Sequence, residues 1–255
     1  MARTMSFAVV IPARFESSRF PGKPLVDLCG KPMIQHVWER CCKAVGKEKV
    51  YVATDSKRIK NVVVGFGGQV VMTSSDCLTG TDRLAQANIK LDFDFVINVQ
   101  GDEPLIKPEH IKKVISAFLA TGNIINAMCR IKSEAEFRSV HIPKVAISEG
   151  RKLLYISRAG IPQTKTNEYV FGYKQVCIYA FSKQHLAYFL NKKVKSKYES
   201  VEDIEILRFL ENDLTVEMVE VESGSLAIDI PEDVQRVIEY MDNEKLDVLK
   251  KYNND

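Results

Sequence analysis

Four short apolar runs constrain the first hundred residues of this chain more than any other feature: 7–11, 50–53, 70–72 and 95–99. Each is too short for a helix, is rich in β-branched residues and is nearly free of polar interruption. That pattern belongs to strands covered on both faces, as in a parallel sheet, and not to strands with one wet face. Between the first two runs the spacing changes. Met33, Ile34, Val37 and Trp38 fall on one face of a helix expected over about 32–44. Strands alternating with helices pack as right-handed βαβ units. The expected fold is therefore α/β, a central mixed but mostly parallel sheet with helices on both faces. Ligands of such sheets bind beyond the carboxyl ends of the strands, so the loops after 7–11 and 95–99 are the first places to look.

The second half is less regular. Residues 144–147 and 152–155 flank Glu149-Gly150 as a hairpin. A strand is expected at 176–181, with a helix following at 183–190. A further helix is expected over 201–211 and a strand over 216–221. A terminal helix should run over 231–241 with Pro231 at its start, and the polar tail after Asp242 is expected to fray. No repeat, low-complexity tract or linker divides the sequence, so a single domain spanning 1–255 is expected. A chain of 255 residues buries a large core without disulfide or metal staples. Its net charge of +3 is too small to argue for nucleic acid or a membrane surface as partner, and no run is long enough to span a bilayer. The six cysteines form no CxxC pair, and no secretory signal precedes the first strand; both features point to the cytoplasm.

Three strings carry chemistry. Residues 12–25 place Arg14, Arg19 and Lys23 within ten positions, with Ser18 and Gly22 among them, directly after a buried strand. Guanidinium forks, an ammonium and backbone able to approach closely suit a polyphosphate, although the Walker pattern is absent. Gln100-Gly101-Asp102-Glu103-Pro104 ends the fourth run with an acidic pair, and Asp229 closes the run 226–228 before the Pro-initiated helix. Two carboxylates at strand ends suit a nucleotide-borne Mg²⁺, which takes one or two protein carboxylates and fills its other positions with water and phosphate. Either Asp also serves as a turn former or helix cap. Thr79-Gly80-Thr81-Asp82-Arg83 opens a helix, where hydroxyls and N–H groups favour an anion or a base edge, or form a plain cap. The four histidines show no metal spacing, and no GxSxG or HExxH string is present.

These strings, in order with Gly30-Lys31-Pro32-Met33-Ile34, Ala53-Thr54-Asp55, Lys144-Val145, Ser157-Arg158, Ile178-Tyr179, Leu207-Arg208 and Ile228-Asp229, run nearly the length of the chain. Together they resemble the 3-deoxy-manno-octulosonate cytidylyltransferase (CMP-KDO synthetase) family. The resemblance implies a Rossmann-like nucleotide-diphospho-sugar transferase fold. It implies a nucleotide-binding half over about 6–130 and a sugar-binding and dimerisation half over about 131–245. The implied reaction joins CTP to the anomeric hydroxyl of KDO or a related 3-deoxy-2-ulosonic acid and releases pyrophosphate, with Mg²⁺ as cofactor and a homodimer as the working form. Such products typically enter cell-envelope polysaccharide. By matching position, Pro12, Ala13, Arg14, Ser18, Lys23, Gly80, Thr81, Arg83 and Gln100 should bind the nucleotide. Asp102 and Asp229 should hold the metal. Arg19 and Lys23 should offset charge on the departing pyrophosphate.

On the sugar side the resemblance implies Arg158, Gln175, Tyr179, Glu205 and Ile206. Two of these depart from the family. Gln175 stands where a His is usual, and Ile206 where Glu-Gln-Leu-Arg is usual. A pocket that hydrogen-bonds a sugar hydroxyl discriminates strongly, so a modified acceptor, such as an amino-substituted ulosonic acid, is expected alongside KDO itself. A silent nucleotide-binding regulator is the reading from a different class, and intact Arg14, Lys23, Asp102 and Asp229 weigh against it.

Overall fold

The computed structural model describes residues 5–17, 19–191, 194–222 and 225–252, with side chains in the last helix through Asn243. β1 (Phe7–Ala13) leads through a 3-10 turn (Lys23–Leu25) and the small hairpin β2 (Asp27–Leu28) and β3 (Lys31–Pro32) into α1 (Met33–Val45). β4 (Val50–Thr54), α2 (Lys57–Gly65), β5 (Gln69–Met72), α3 (Gly80–Leu91), β6 (Phe95–Val99) and α4 (Pro108–Thr121) complete the alternating part. Then come β7 (Ile124–Arg130), α5 (Glu134–Arg138), β8 (Lys144–Ile147), β9 (Leu153–Ser157) and β10 (Tyr173–Ser182). The chain closes with α6 (Lys183–Asn191), α7 (Lys197–Glu202), α8 (Leu207–Leu210), β11 (Val216–Glu220) and α9 (Glu232–Tyr252).

The main sheet runs in the order β11-β7-β10-β6-β1-β4-β5, with β8 and β9 attached beside β10. β1 pairs in parallel with both β4 and β6, and β4 with β5. β10 runs antiparallel to β6 and β7, while β11 lies parallel to β7. The sheet is thus mixed and mostly parallel. The chain steps outward from β1 to β4 and β5, then returns to the other side of β1 for β6. The order therefore reverses between β1 and β6, which opens a crevice at the ends of those two strands.

Alternation along β1 explains why it reads as an unbroken apolar run. Val9 and Ile11 pack with Ile34 and Val37 of α1, Ile59 of α2 and Phe118 of α4. Ala8 and Val10 face the other way, toward Leu84 of α3 and Leu186 and Phe189 of α6. All four strand residues are fully buried, and each such Val or Ile contributes roughly 1.5–3 kcal/mol relative to exposure. A third cluster of Leu28, Met33, Leu105, Ile228, Val237 and Met241 seats α9 against the β2 hairpin and α1.

Two expectations are corrected. The helix expected over 201–211 is two short helices, α7 and α8, separated at Asp203, whose φ of 52° is left-handed. Asp tolerates that conformation better than most residues, and the break turns Glu205 toward α3. The tail expected to fray after Asp242 is helical to Tyr252.

Candidate active site

A cleft of about 580 Å³ opens at the crevice between β1 and β6, within the usual size of small-molecule sites (~300–1,000 Å³). Pro12, Gly80, Gln100 and Gly101 meet at its floor. A Cβ on Gly101 would lie 2.8 Å from the Pro12 carbonyl oxygen, and one on Gly80 would lie 2.8 Å from Gln100 Nε2. At Gly101 the neighbour is backbone and cannot give way, so only glycine lets the loop after β6 close so tightly on β1.

The acidic strings converge at one side of this floor. Ile228 N–H donates to the Asp102 carbonyl at 3.0 Å, tying the two strings backbone to backbone. Lys23 Nζ then donates to Asp102 Oδ2 at 2.7 Å and lies 3.4 Å from Asp229 Oδ1, and Arg19 Nη2 reaches the same Asp229 oxygen at 3.2 Å. Burial opposes the Lys23 charge, but Asp102 and then Asp229 outweigh it and hold the ammonium above its ordinary range. The Asp229 carboxylate is thus directed to Lys23 and Arg19, and its backbone is fixed by Asp233 in the first turn of α9, whose Oδ2 accepts from the N–H of Asp229 and Ile230. Both Asp102 and Asp229 keep about 30% of their side chains exposed, facing the cleft. Glu103, the second member of the acidic pair, is buried instead. Desolvation first, then the Asp102 charge, push its carboxyl up to about 7.

Thr79 and Asp82 form a reciprocal capping box at the start of α3. The Thr81 N–H donates to Glu205 Oε2 at 2.8 Å, and Gln100 Nε2 donates to Glu205 Oε1 at 2.9 Å. Burial pushes the Glu205 carboxyl up, and the Thr81 N–H pulls it back. At the far end, Arg158, Lys174, Gln175 and Tyr179 line the cleft with Glu136 and His141.

The comparisons decide the family. A cytidylyltransferase family model matches residues 8–219. The chain is 40% identical to 3-deoxy-manno-octulosonate cytidylyltransferase of Geobacter metallireducens, over 92% of this chain and 97% of that one. It is also 40% identical to 8-amino-3,8-dideoxy-manno-octulosonate cytidylyltransferase of Shewanella halifaxensis, over 91% and 96%. The solved structure of CMP:2-keto-3-deoxy-manno-octonic acid synthetase complexed with CTP superposes with a TM-score of 0.87 at 36% identity, covering 94% of this chain and 99% of that chain. The chain belongs to the cytidylyltransferase family. HddC from Yersinia pseudotuberculosis, at 17% identity and a TM-score of 0.69, shares the fold.

Within this cytidylyltransferase, the residues singled out from sequence divide into three groups. Pro12, Ala13, Arg14, Arg19, Lys23, Gly80, Gln100, Asp102 and Asp229 line the cleft, as do Gln175 and Tyr179. Ser18 lies outside the described residues. Arg83, Arg158 and Glu205 line the cleft as well, each engaged by the protein, while Thr81 and Ile206 need correction. Ile206 is 1% exposed and packs in the core beneath the sheet, so it does not face the sugar pocket. Thr81 has a fully buried side chain. The helix N-terminus that the sequence offers to an anion is taken by Glu205, which lines the cleft with its carboxylate engaged by the Thr81 N–H and Gln100 Nε2. Arg83 lines the cleft, but its guanidinium is bound to Asp55 Oδ2 at 2.9 Å and Thr73 Oγ1 at 2.6 Å. Arg158 Nε, Nη1 and Nη2 donate to the carbonyls of Glu202, Val140 and Asp203. It clamps the cleft wall.

Residues missed from sequence are Glu103, Glu136, His141, Lys174 and Lys195. The acidic pair signalled Glu103. Nothing local signalled the others: Glu136 and His141 come from α5 and the loop before β8, Lys174 from β10, and Lys195 from the segment before α7.

Proposed function

We propose that this chain transfers CMP from CTP to the anomeric hydroxyl of a 3-deoxy-2-ulosonic acid and releases pyrophosphate. The observation that carries the reading is the convergence of Asp102 and Asp229 on Lys23 beside the Pro12, Gly80 and Gln100 floor. The reaction is in-line attack on the α-phosphorus, which needs positioning and charge neutralisation more than covalent help. Arg19 and Lys23 offset negative charge on the departing pyrophosphate. The cleft floor holds the cytidine, and the Gln175 and Tyr179 end receives the sugar acid.

Asp102 and Asp229 fit a Mg²⁺ ion. They are two partly exposed carboxylates within reach of one ammonium, and Mg²⁺ completes its shell with phosphate oxygens and water. Bound there, the metal supplies charge neutralisation at the α-phosphate and the leaving group. Lys23 then serves as a movable counter-ion that keeps the two acids paired without nucleotide and turns to phosphate when CTP enters. With Asp102→Asn, kcat with Mg²⁺ is expected to fall by about 10²–10³; near-normal turnover would refute the metal assignment.

The acceptor is KDO or its 8-amino counterpart. Relatives bearing each name are equally similar to this chain, and Gln175 supports a changed sugar end. On the strength of the resemblance, a homodimer working in the cytoplasm and supplying cell-envelope polysaccharide completes the proposal. Among the described residues no helix is long and apolar enough to cross a membrane.

A further inference from the structure

The sugar end of the cleft contains a hydrogen-bond relay whose polarity is fixed from below. Asn126 on β7 is fully buried. Its Nδ2 donates to the carbonyls of Val176 and Ile178 at 3.0 and 3.1 Å, where β10 shifts register against β7. Turning this amide over would set Oδ1 against two carbonyl oxygens, so the orientation is forced. Oδ1 must then face Gln175 and can only accept. Gln175 answers by donating Nε2 to it at 2.9 Å. The strand beneath is held by Gln175 N–H on the Pro143 carbonyl at 3.0 Å.

Gln175 lines the cleft, and with one Nε2 hydrogen on Asn126 the amide is oriented, so that its carbonyl oxygen Oε1 is turned away from Asn126 and is the acceptor it offers a ligand. The adjacent Lys174 adds no free positive charge, because its Nζ is held 2.5 Å from Glu136 Oε1. Lys174 and Glu136 thus offset one another, and Gln175 presents an acceptor oxygen in a set direction. Resting on the cytidylyltransferase reading above, we propose that Gln175 is a specificity-determining residue. Its Oε1 accepts a hydrogen bond from a donor group on the sugar acid, a hydroxyl or an ammonium, and Asn126 is the positioning residue that sets its direction.

The test measures pyrophosphate release at saturating CTP while either KDO or the 8-amino acid is varied. Gln175→Met keeps the length and removes both amide atoms. Gln175→Asn keeps the polarity and withdraws the amide by one methylene, which guards against a fault of folding. Both variants are expected to raise the KM of the sugar acid, by about 10-fold if the donor is a hydroxyl and about 100-fold if it is an ammonium. The KM for CTP should stay within about twofold of wild type, because among the described residues the Gln175 hydrogen bonds run to Asn126 and Pro143 and not to the residues of the cleft floor. The acid showing the larger rise identifies the donor. Asn126→Asp removes the donors to Val176 and Ile178 and should raise the same KM with kcat less affected; an unchanged KM would overturn Asn126 as the positioning residue. A change under fivefold for both acids in both Gln175 variants, or an equal rise in the KM for CTP, would overturn the inference while leaving the cytidylyl transfer reading standing. No pyrophosphate from the wild type with either acid would overturn both.

Discussion

Arg208 offers the sharpest test of how the cleft floor is held. Its side chain is fully buried, and its Nε and Nη2 grip both oxygens of Glu199 at 2.7 and 2.6 Å. Nη1 reaches Asp82 Oδ1 at 2.8 Å, and the guanidinium lies 3.9 Å from the Phe189 ring centroid. Burial works against this charge, but Glu199 and then Asp82 outweigh it and hold the group firmly protonated. Arg208→Met fills much of the volume and leaves two carboxylates shielded from water, the Glu199 side chain only 1% exposed. Breaking a buried pair in this way costs about 3–5 kcal/mol, a large share of the ~5–15 kcal/mol available to a domain. At about 2–4 °C per kcal/mol for a chain of this size, the melting temperature should fall by about 6–20 °C. Because Asp82 also caps α3 through Thr79, the KM for CTP should rise as well. Urea unfolding and thermal melting measure the first effect, and steady-state kinetics the second. Arg208→Met with Glu199→Gln removes one stranded charge and should recover part of the loss. A deficit under about 1 kcal/mol, or no recovery in the double variant, would refute the reasoning.

Two further predictions concern close approach and buried charge. Gly101→Ala places a Cβ 2.8 Å from the Pro12 carbonyl oxygen. It should cost about 1–3 kcal/mol of stability and raise the KM for CTP; unchanged values for both would contradict the tight floor. Lys144 is fully buried and its Nζ donates to the carbonyls of Ser139, Ile142 and Arg158. Burial first, then the Arg158 charge, bring it down from 10.5 to about 8. Between those values the unfolded chain binds a proton that the folded chain lacks, so stability from this group rises with pH across that window. In urea unfolding at pH 7.5 and 10, Lys144→Met should lose that rise, and an identical pH slope in variant and wild type would contradict it.

The alternating half of the fold was legible because β1, β4 and β6 are buried on both faces, and burial on both faces leaves an unbroken apolar run; β5, at the sheet edge, is only partly buried and gave the shortest run. The site was legible in part for the same topological reason: strings that follow β1 and β6 must meet where the strand order reverses. Which cations are free was not legible. Arg83 is matched by Asp55, 28 positions away, and Arg158 by carbonyls from two other segments. Nor was the break at Asp203, because the residues of α7 and α8 continue an acceptable helical pattern through it. That break points Glu205 into the cleft floor and its neighbour Ile206 into the core, so adjacency in sequence misplaced Ile206.

The central claim is transfer of CMP to a sugar acid. The most direct measurement incubates the protein with CTP, Mg²⁺ and either KDO or the 8-amino acid, and follows pyrophosphate together with the phosphorus resonance of the product. One pyrophosphate released for each CMP-sugar formed, with no release when the acid is omitted, is the predicted result. Acid-independent hydrolysis of CTP, or binding of CTP with no release in any mixture, would contradict it.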